Sequence, residues 1–399
     1  MSHRFAYNRM ELAGSLGDLG TLLPITIAMI LVVGLHPTGI FISIGLFYIL
    51  SGSYFGITVP VQPMKVVGAY AIATGMQPSQ LVASTLLMGV LLLIIGATGA
   101  IETIRRQTDT SVIRGIQLST GVMLMTGGVK FIMGTSNLQI MQNAVEPSLI
   151  LQAIGPIPIS IILGILASLI TFLLLDSRRF PAALMVILAG FTTGITLGRG
   201  IDIGVGNLGF HLPQILPFGI PALPDFTFAL FILVLPQLPM TLGNAVLAYT
   251  DLSHKYFGEK AARVSNRKVC ISMGLANVLS FFVGGMPLCH GAGGLAAHYR
   301  FGARTAGSNI FIGLFFLLVA IIFGDKSVQL LNLLPLSILG ALLLFAGVQL
   351  ALTIMDLKRR EDYFVATIML GITLASNLAA GFIAGIIIAK CLKWERFSI

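Results

Sequence analysis

The sequence alternates long apolar runs with short polar stretches, and the runs have the length scale of a membrane. A helix needs roughly 20 apolar residues to cross ~30 Å of hydrocarbon. Windows of about 19 residues place apolar segments near 12–33, 38–55, 62–75, 78–100, 115–133, 157–175, 182–198, 225–249, 268–284, 290–302, 305–324, 328–353, 363–375 and 377–392. The pattern predicts an all-α polytopic membrane protein with about 14 transmembrane segments. Segments 3 and 10 are too short to cross as helix, and each follows a stretch with glycine and proline, Gly56 to Pro63 and Gly284 to Gly291. Half-helices are expected there, because interrupted segments at corresponding positions of two halves point to a transporter's binding site.

The Gly- and Pro-containing stretch 199–224 separates residues 1–199, spans 1–7, from residues 222–399, spans 8–14. Seven is odd, so the second half must enter the membrane inverted relative to the first. A 7+7 inverted repeat follows.

Composition narrows the class. Only 10% of the 399 residues are charged and 56% are hydrophobic, where a soluble domain carries about 25% charge. A soluble enzyme, a disordered chain, a coiled coil and a nucleic-acid binder are all excluded. The net charge of +9 is an orientation signal. With both termini cytoplasmic, twenty of the 24 Lys and Arg fall on the inner side, among them Arg4, Arg9, Arg105, Arg106, Arg114, Arg178, Arg179, Lys358, Arg359, Arg360 and Arg396, and only Arg199 and Lys326 fall outside. That is the positive-inside bias, expected for an inner or plasma membrane. The first apolar block lacks a small-residue cleavage site and reads as a retained helix. Cys270, Cys289 and Cys391 form neither a paired framework nor a C-x-x-C pattern, so no metal and no cofactor are expected.

Polar groups inside the membrane are costly, about 2.5–3.5 kcal/mol for a charge at mid-depth, and so mark function. Asp18, in Gly14-Ser-Leu-Gly-Asp-Leu-Gly-Thr21, is a candidate with Thr21 for coupling or for organising a site; the alternative is a carboxylate that holds a glycine-rich helix contact together. In Pro60-Val-Gln-Pro-Met-Lys65, proline presets a helix start. The amides of Met64, Lys65 and Val66, with Gln62, would then face an anion. A lysine opposes the helix dipole at that end, which an anion would offset; snorkelling or pairing with Asp18 is the alternative. The run His290-Gly-Ala-Gly-Gly294 lets backbone N–H groups of Gly291, Ala292, Gly293 and Gly294 approach an oxyanion. Lacking a Lys-Ser/Thr ending, it is no nucleotide loop. His290 itself either donates to the anion or caps its own helix. Gln237, Thr241 and Asn244, spaced four and three apart, form a polar stripe that serves either the anion or interhelical packing.

These motifs resemble a known family. Gly17-Asp-Leu-Gly20, Pro60-Val-Gln-Pro-Met-Lys65 and Cys289-His-Gly-Ala-Gly-Gly-Leu-Ala-Ala-His-Tyr-Arg-Phe-Gly-Ala-Arg-Thr305 resemble the molybdate transporter family of the sulfate permease superfamily, over nearly the whole chain. The resemblance implies the fold of sulfate and uracil permeases: a core of spans 1–4 and 8–11, a gate of spans 5–7 and 12–14, and an oxyanion between the N-termini of spans 3 and 10. Where sulfate permeases usually offer an arginine in the tenth span, this chain has Gly294; Lys65 stands where they usually have a small residue. Ending at Ile399, the chain is not expected to be regulated through the cytoplasmic domain that many sulfate permeases carry. The expected function is secondary active transport of molybdate by alternating access. Tungstate and sulfate are expected as weaker ligands, and the lipid bilayer and, as an open alternative, a second copy in a homodimer as partners. A sulfate carrier, a nucleobase permease and an anion channel are the rivals.

Overall fold

The computed structural model describes residues 5–103, 109–175, 177, 182–198 and 209–393. Arg4, Arg105, Arg106, Arg178, Arg179, Arg199 and Arg396, which carry part of the charge bias, lie outside the described residues.

The chain is mostly helical. In order run α1 (Arg9–Ser15), α2 (Leu19–Val33), α3 (Pro37–Phe55), β1 (Gln62–Pro63), α4 (Lys65–Thr74), α5 (Pro78–Thr98), α6 (Thr110–Met133), β2 (Ala153–Ile154), β3 (Ile157–Pro158), α7 (Ile159–Leu174) and α8 (Ala182–Leu197). Then follow α9 (Leu223–Ala261), α10 (Asn266–Phe282), β4 (Leu288–Cys289), α11 (Ala292–Phe301), α12 (Gly307–Phe323), α13 (Leu336–Ala351), α14 (Arg360–Ala375) and α15 (Leu378–Cys391). Among the described residues, six helical runs are long and apolar enough to cross a membrane. α4 and α11 have ten residues each, about 15 Å at 1.5 Å per residue, half of what a crossing needs.

Three details depart from the apolar pattern. The all-α expectation misses two short strand pairs, β1 with β4 and β2 with β3, both antiparallel. The first apolar block is not one helix: it breaks between Ser15 and Leu19, and Asp18 sits in the break. Gly17 there packs on α11, where a Cβ would come within 2.9 Å of the Ala297 carbonyl. In α9, π-helical turns at Ala229–Val234 and Thr241–Ala248 flank Pro236 and Pro239. Prolines supply no N–H to the helical ladder, and the helix widens around them.

The most extensive helix pairings are α6 with α13, α5 with α10 and α3 with α12. α6 and α13 touch backbone to backbone: a Cβ at Gly121 would lie 2.6 Å from the Gly347 carbonyl oxygen, and Gly128 abuts Gly340 in the same way. Small residues at such crossings replace a hydrophobic driving force that lipid cannot supply. α7, α8, α14 and α15 gather around that pair, while α2 joins α4.

Candidate functional site

The site is built on β1 and β4. Gln62 pairs with Cys289 and Pro63 with Leu288, and the Met64 N–H donates to the Pro287 carbonyl at 2.9 Å. Asn277 fixes the β4 side, its Nδ2 donating to Leu288 O and its Oδ1 accepting from Leu288 N, both at 2.8 Å. α4 and α11 start just beyond these strands, so an antiparallel pair brings two helix N-termini together. Each end exposes N–H groups and the positive pole of a helix dipole.

The two ends are equipped differently. At α4 the Val66 and Val67 N–H groups donate to Gln237 Oε1 at 2.9 and 3.4 Å, which leaves the Lys65 N–H as the open one. At α11 the N–H groups of Ala292, Gly293 and Gly294 find no protein acceptor among the described residues. The glycines there have distinct tasks. A Cβ at Gly294 would lie 2.7 Å from Gln62 Nε2 and from Pro60 Cβ, and one at Gly291 would strike Gln62 Oε1, whereas nothing lies within 4 Å of one at Gly293.

Gly293 faces a cavity of about 380 Å³, lined on one side by Thr21, Gln62, Lys65, Asn244 and Gly293 and on the other by Gln117, Thr171, Gln349 and Thr353, with apolar residues between. The Lys65 ammonium has no carboxylate within 4.0 Å among the described residues and no side-chain hydrogen bond. A lysine with no carboxylate in contact, open amides and neutral amide side chains together have the chemistry that suits an anion.

The other residues read from the sequence lie around the cavity without lining it. Gln237 joins helices: its Oε1 caps α4 and its Nε2 donates to Thr241 Oγ1 at 2.8 Å, so the amides expected to face an anion at Val66 are already filled. His290 is fully buried; its Nδ1 lies 2.9 Å from Pro60 O and its Nε2 3.2 Å from Ser272 Oγ, while its ring packs 4.6 Å from Phe47. Nδ1 holds the junction of β4 and α11 against the segment before β1, and Nε2 ties it to α10. The Met64 N–H, expected to face an anion, is taken by the Pro287 carbonyl, and Gly291, Ala292 and Gly294 adjoin Gly293 without lining the cavity themselves.

Asp18 belongs to a separate buried network. Its carboxylate accepts from Tyr48 Oη at 2.9 and 3.0 Å and lies 3.0 Å from His298 Nε2. His298 Nδ1 lies 2.8 Å from Thr58 Oγ1, to which Ser308 donates at 2.7 Å. The network ties the break before α2 to α3, α11 and α12, so Asp18 meets a histidine and not Lys65.

The far wall is lined by residues outside those motifs, Gln117, Thr171, Gln349 and Thr353. Gln117 Oε1 accepts from Arg114 Nη1 at 2.8 Å and from Thr353 Oγ1 at 2.9 Å. Arginine only donates, so this fixes the amide with its Nε2 turned away from both, and Gln117 and Gln349 bring further donors to the cavity. The available signal was an isolated glutamine in an apolar run, the same signal that singled out Gln237. His298 carried a weaker one, lying in the last turn of a short helix beside Arg300.

Residues 10–124 and 229–350 match a family model described as "Molybdate transporter of MFS superfamily". The chain belongs to the molybdate transporter family. It is 32% identical to molybdate transporter 2 of Arabidopsis thaliana, over 96% of this chain and 87% of that protein. It is 29% identical to molybdate transporter 1 of Chlamydomonas reinhardtii, over 94% and 90%. The family is one of transporters, not enzymes, and this member is an integral membrane protein. In fold the molybdate transporter family member is similar to the transmembrane domain of a cyanobacterial bicarbonate transporter, BicA (TM-score 0.63, 15% identity, 94% of this chain and 97% of that one). It is also similar to murine Slc26a9, an anion transporter, in its inward-facing state (TM-score 0.67, 15% identity, 97% and 68%).

Proposed function

We propose that this protein is a secondary active transporter of molybdate, working by alternating access. The observation that carries the reading is the Lys65 side chain, with no carboxylate within 4.0 Å among the described residues, in the same cavity as Gly293 at the open N-terminus of α11. A dianion there would receive one full charge, up to four backbone N–H groups from Lys65 and Ala292–Gly294, and side-chain donors from Gln62, Asn244 and Thr21. Mostly neutral donors suit a ligand that must also leave.

In this reading α1–α5 and α9–α12 form the core and α6–α8 and α13–α15 the gate, related as an inverted repeat. The antiparallel pairing of β1 with β4, each leading into a ten-residue helix, supports that relation. Two walls meeting at one cavity give alternating access its natural shear plane. The gate-side lining, Gln117, Leu175, Ala182 and Thr353, lies within a few residues of the basic positions Arg114, Arg178, Arg179 and Lys358. By the positive-inside bias the cavity opens to the cytoplasm, with both termini on that side of an inner or plasma membrane. A nucleobase permease would need a free acceptor at Gln237 to read ring N–H groups, but its Oε1 is occupied by Val66 and Val67.

Equilibrium binding to the purified protein tests the reading, with molybdate as ligand and tungstate and sulfate as competitors. Molybdate and tungstate, near-equal in size, should compete closely and sulfate less well; absence of binding by any of the three would overturn it.

A further inference from the structure

On the flank of the core, away from the anion cavity, α3 and α10 enclose a groove of about 510 Å³. Its walls are Phe47, Leu50, Tyr54, Leu275 and Leu279, and Lys268 closes one end. Leu50 and Leu275 are each 59% exposed, so the groove is open along its length. From Lys268 to Leu279 the helix rises about 16 Å at 1.5 Å per residue, close to half of the ~30 Å hydrocarbon thickness. The groove therefore has the depth of one leaflet.

Its charged end is as specific as its apolar body. Lys268 has no carboxylate partner among the described residues. The Arg263 guanidinium reaches the same end, donating to the Tyr54 carbonyl at 3.2 Å. A neutral detergent-like tail would fill the body but leave two cations unmatched. A phosphodiester headgroup at the mouth matches both.

The wall also touches the substrate machinery. Phe47 packs on the His290 ring, 4.6 Å between centroids, and Ser272 Oγ lies 3.2 Å from His290 Nε2. His290 in turn holds Pro60, just before β1, through Nδ1. What fills the groove presses on the two side chains that fix His290, and through it on the strands that carry both helix N-termini.

We infer that the groove between α3 and α10 is a binding site for an anionic phospholipid, one acyl chain lying along Phe47 to Leu279 and the phosphate against Lys268 and Arg263, and that its occupancy sets the geometry of the anion site. The second half of this inference rests on the molybdate reading; the first does not. The full chain, purified in neutral detergent, is melted with phosphatidylglycerol or with phosphatidylcholine of the same acyl chains. Phosphatidylglycerol should raise Tm by about 5 °C, the size expected of a saturating ligand, and phosphatidylcholine far less. Lys268→Glu and Leu275→Trp should each abolish the phosphatidylglycerol shift; phosphatidylglycerol should tighten molybdate binding in the parent protein and leave it unchanged in both variants, which still bind molybdate at the lipid-free affinity. Lys65→Ala should lose molybdate and keep the lipid shift, which separates failure of the anion site from failure of the groove. Equal shifts with both lipids, an undiminished shift in both groove variants, or a disulfide between two Leu275→Cys chains in place of lipid protection would overturn the proposal.

Discussion

The N-termini of α4 and α11 are the same device in two conditions. Both are ten-residue helices led in by a strand of one antiparallel pair. At α4 the chain itself has filled all but the Lys65 amide: Gln237 Oε1 takes the Val66 and Val67 amides, Pro287 takes that of Met64, and a lysine supplies the positive charge. At α11 it has left the amides empty and stripped away the side chains, with Gly293 facing open space. Charge comes from one helix and hydrogen-bond donors from the other. An anion bridging them closes a circuit that neither end completes alone.

A third helix end supplies a control. The N-terminus of α13 is filled by a carboxyl group built into the chain: Glu146 is buried and accepts from the Leu336 and Ser337 N–H groups at 2.8 and 2.9 Å. It shows on this molecule how carboxyl oxygens seat on helix amides.

The largest effect is expected at the charge. Lys65→Ala should weaken molybdate binding roughly 100-fold, about 3 kcal/mol for a lost charge-assisted contact in a partly desolvated site, with little change in Tm; isothermal titration and a melt measured together check both halves. Unchanged affinity would mean that the amides of α11 act alone.

At the other helix two glycines can be set against each other. Gly293→Ala puts a methyl group into the cavity without touching protein and should cost about tenfold in affinity at constant Tm. Gly294→Ala drives a Cβ against Gln62 and Pro60, so both affinity and Tm should fall, the latter by several degrees, as expected for about 1–3 kcal/mol of overpacking. If the two variants behaved alike, the assignment of Gly293 to the cavity would be wrong.

A smaller effect distinguishes filled from open amides. Gln237→Leu strands the buried Val66 N–H and should lower stability by about 1–3 kcal/mol. Binding should follow only indirectly, through α4, and Gln237→Met should not rescue it because a thioether accepts weakly.

The smallest is at Glu146. Burial pushes its carboxyl up to about 7, against the opposing pull of the Ser337 and Leu336 hydrogen bonds. The folded chain then holds a proton between the ordinary carboxyl range and about 7 that the unfolded chain has released. Stability is greatest below about 4.5 and declines as pH rises through about 7. Tm should therefore drop by a few degrees between pH 5 and pH 8, and Glu146→Gln should flatten the slope. An upward slope in the parent protein would show that the two amides hold the carboxylate charged throughout.

How much of this was legible in the sequence depends on the distance over which a residue acts. Segment positions followed from apolar runs, and the cavity gathers Thr21, Gln62, Lys65, Asn244 and Gly293 because each stands out within its own short motif. The partners of those motifs were not legible. Gln237 reads as a donor to an anion until α4 is seen beside it, and His290 reads as a ligand until Pro60 and Ser272 occupy both its nitrogens. Asp18 suggested a partner of opposite charge, yet which one, Lys65 or His298, is set by how α2 and α11 cross. The break around Asp18 and the strand pair were invisible for a related reason: hydropathy reports burial, and both features are buried in backbone that hydropathy does not describe.

The pairing of Gln62 with Cys289 has a consequence for biogenesis. Its two strands come from opposite halves of the chain, so closing that contact waits until the second half has been synthesised and inserted, and carries the loop-closure cost of a distant pairing. The first half alone can present Lys65 but has no cradle to set against it. An anion bound as proposed would therefore stabilise only the finished molecule, acting as a late check on assembly and not as a guide to early folding.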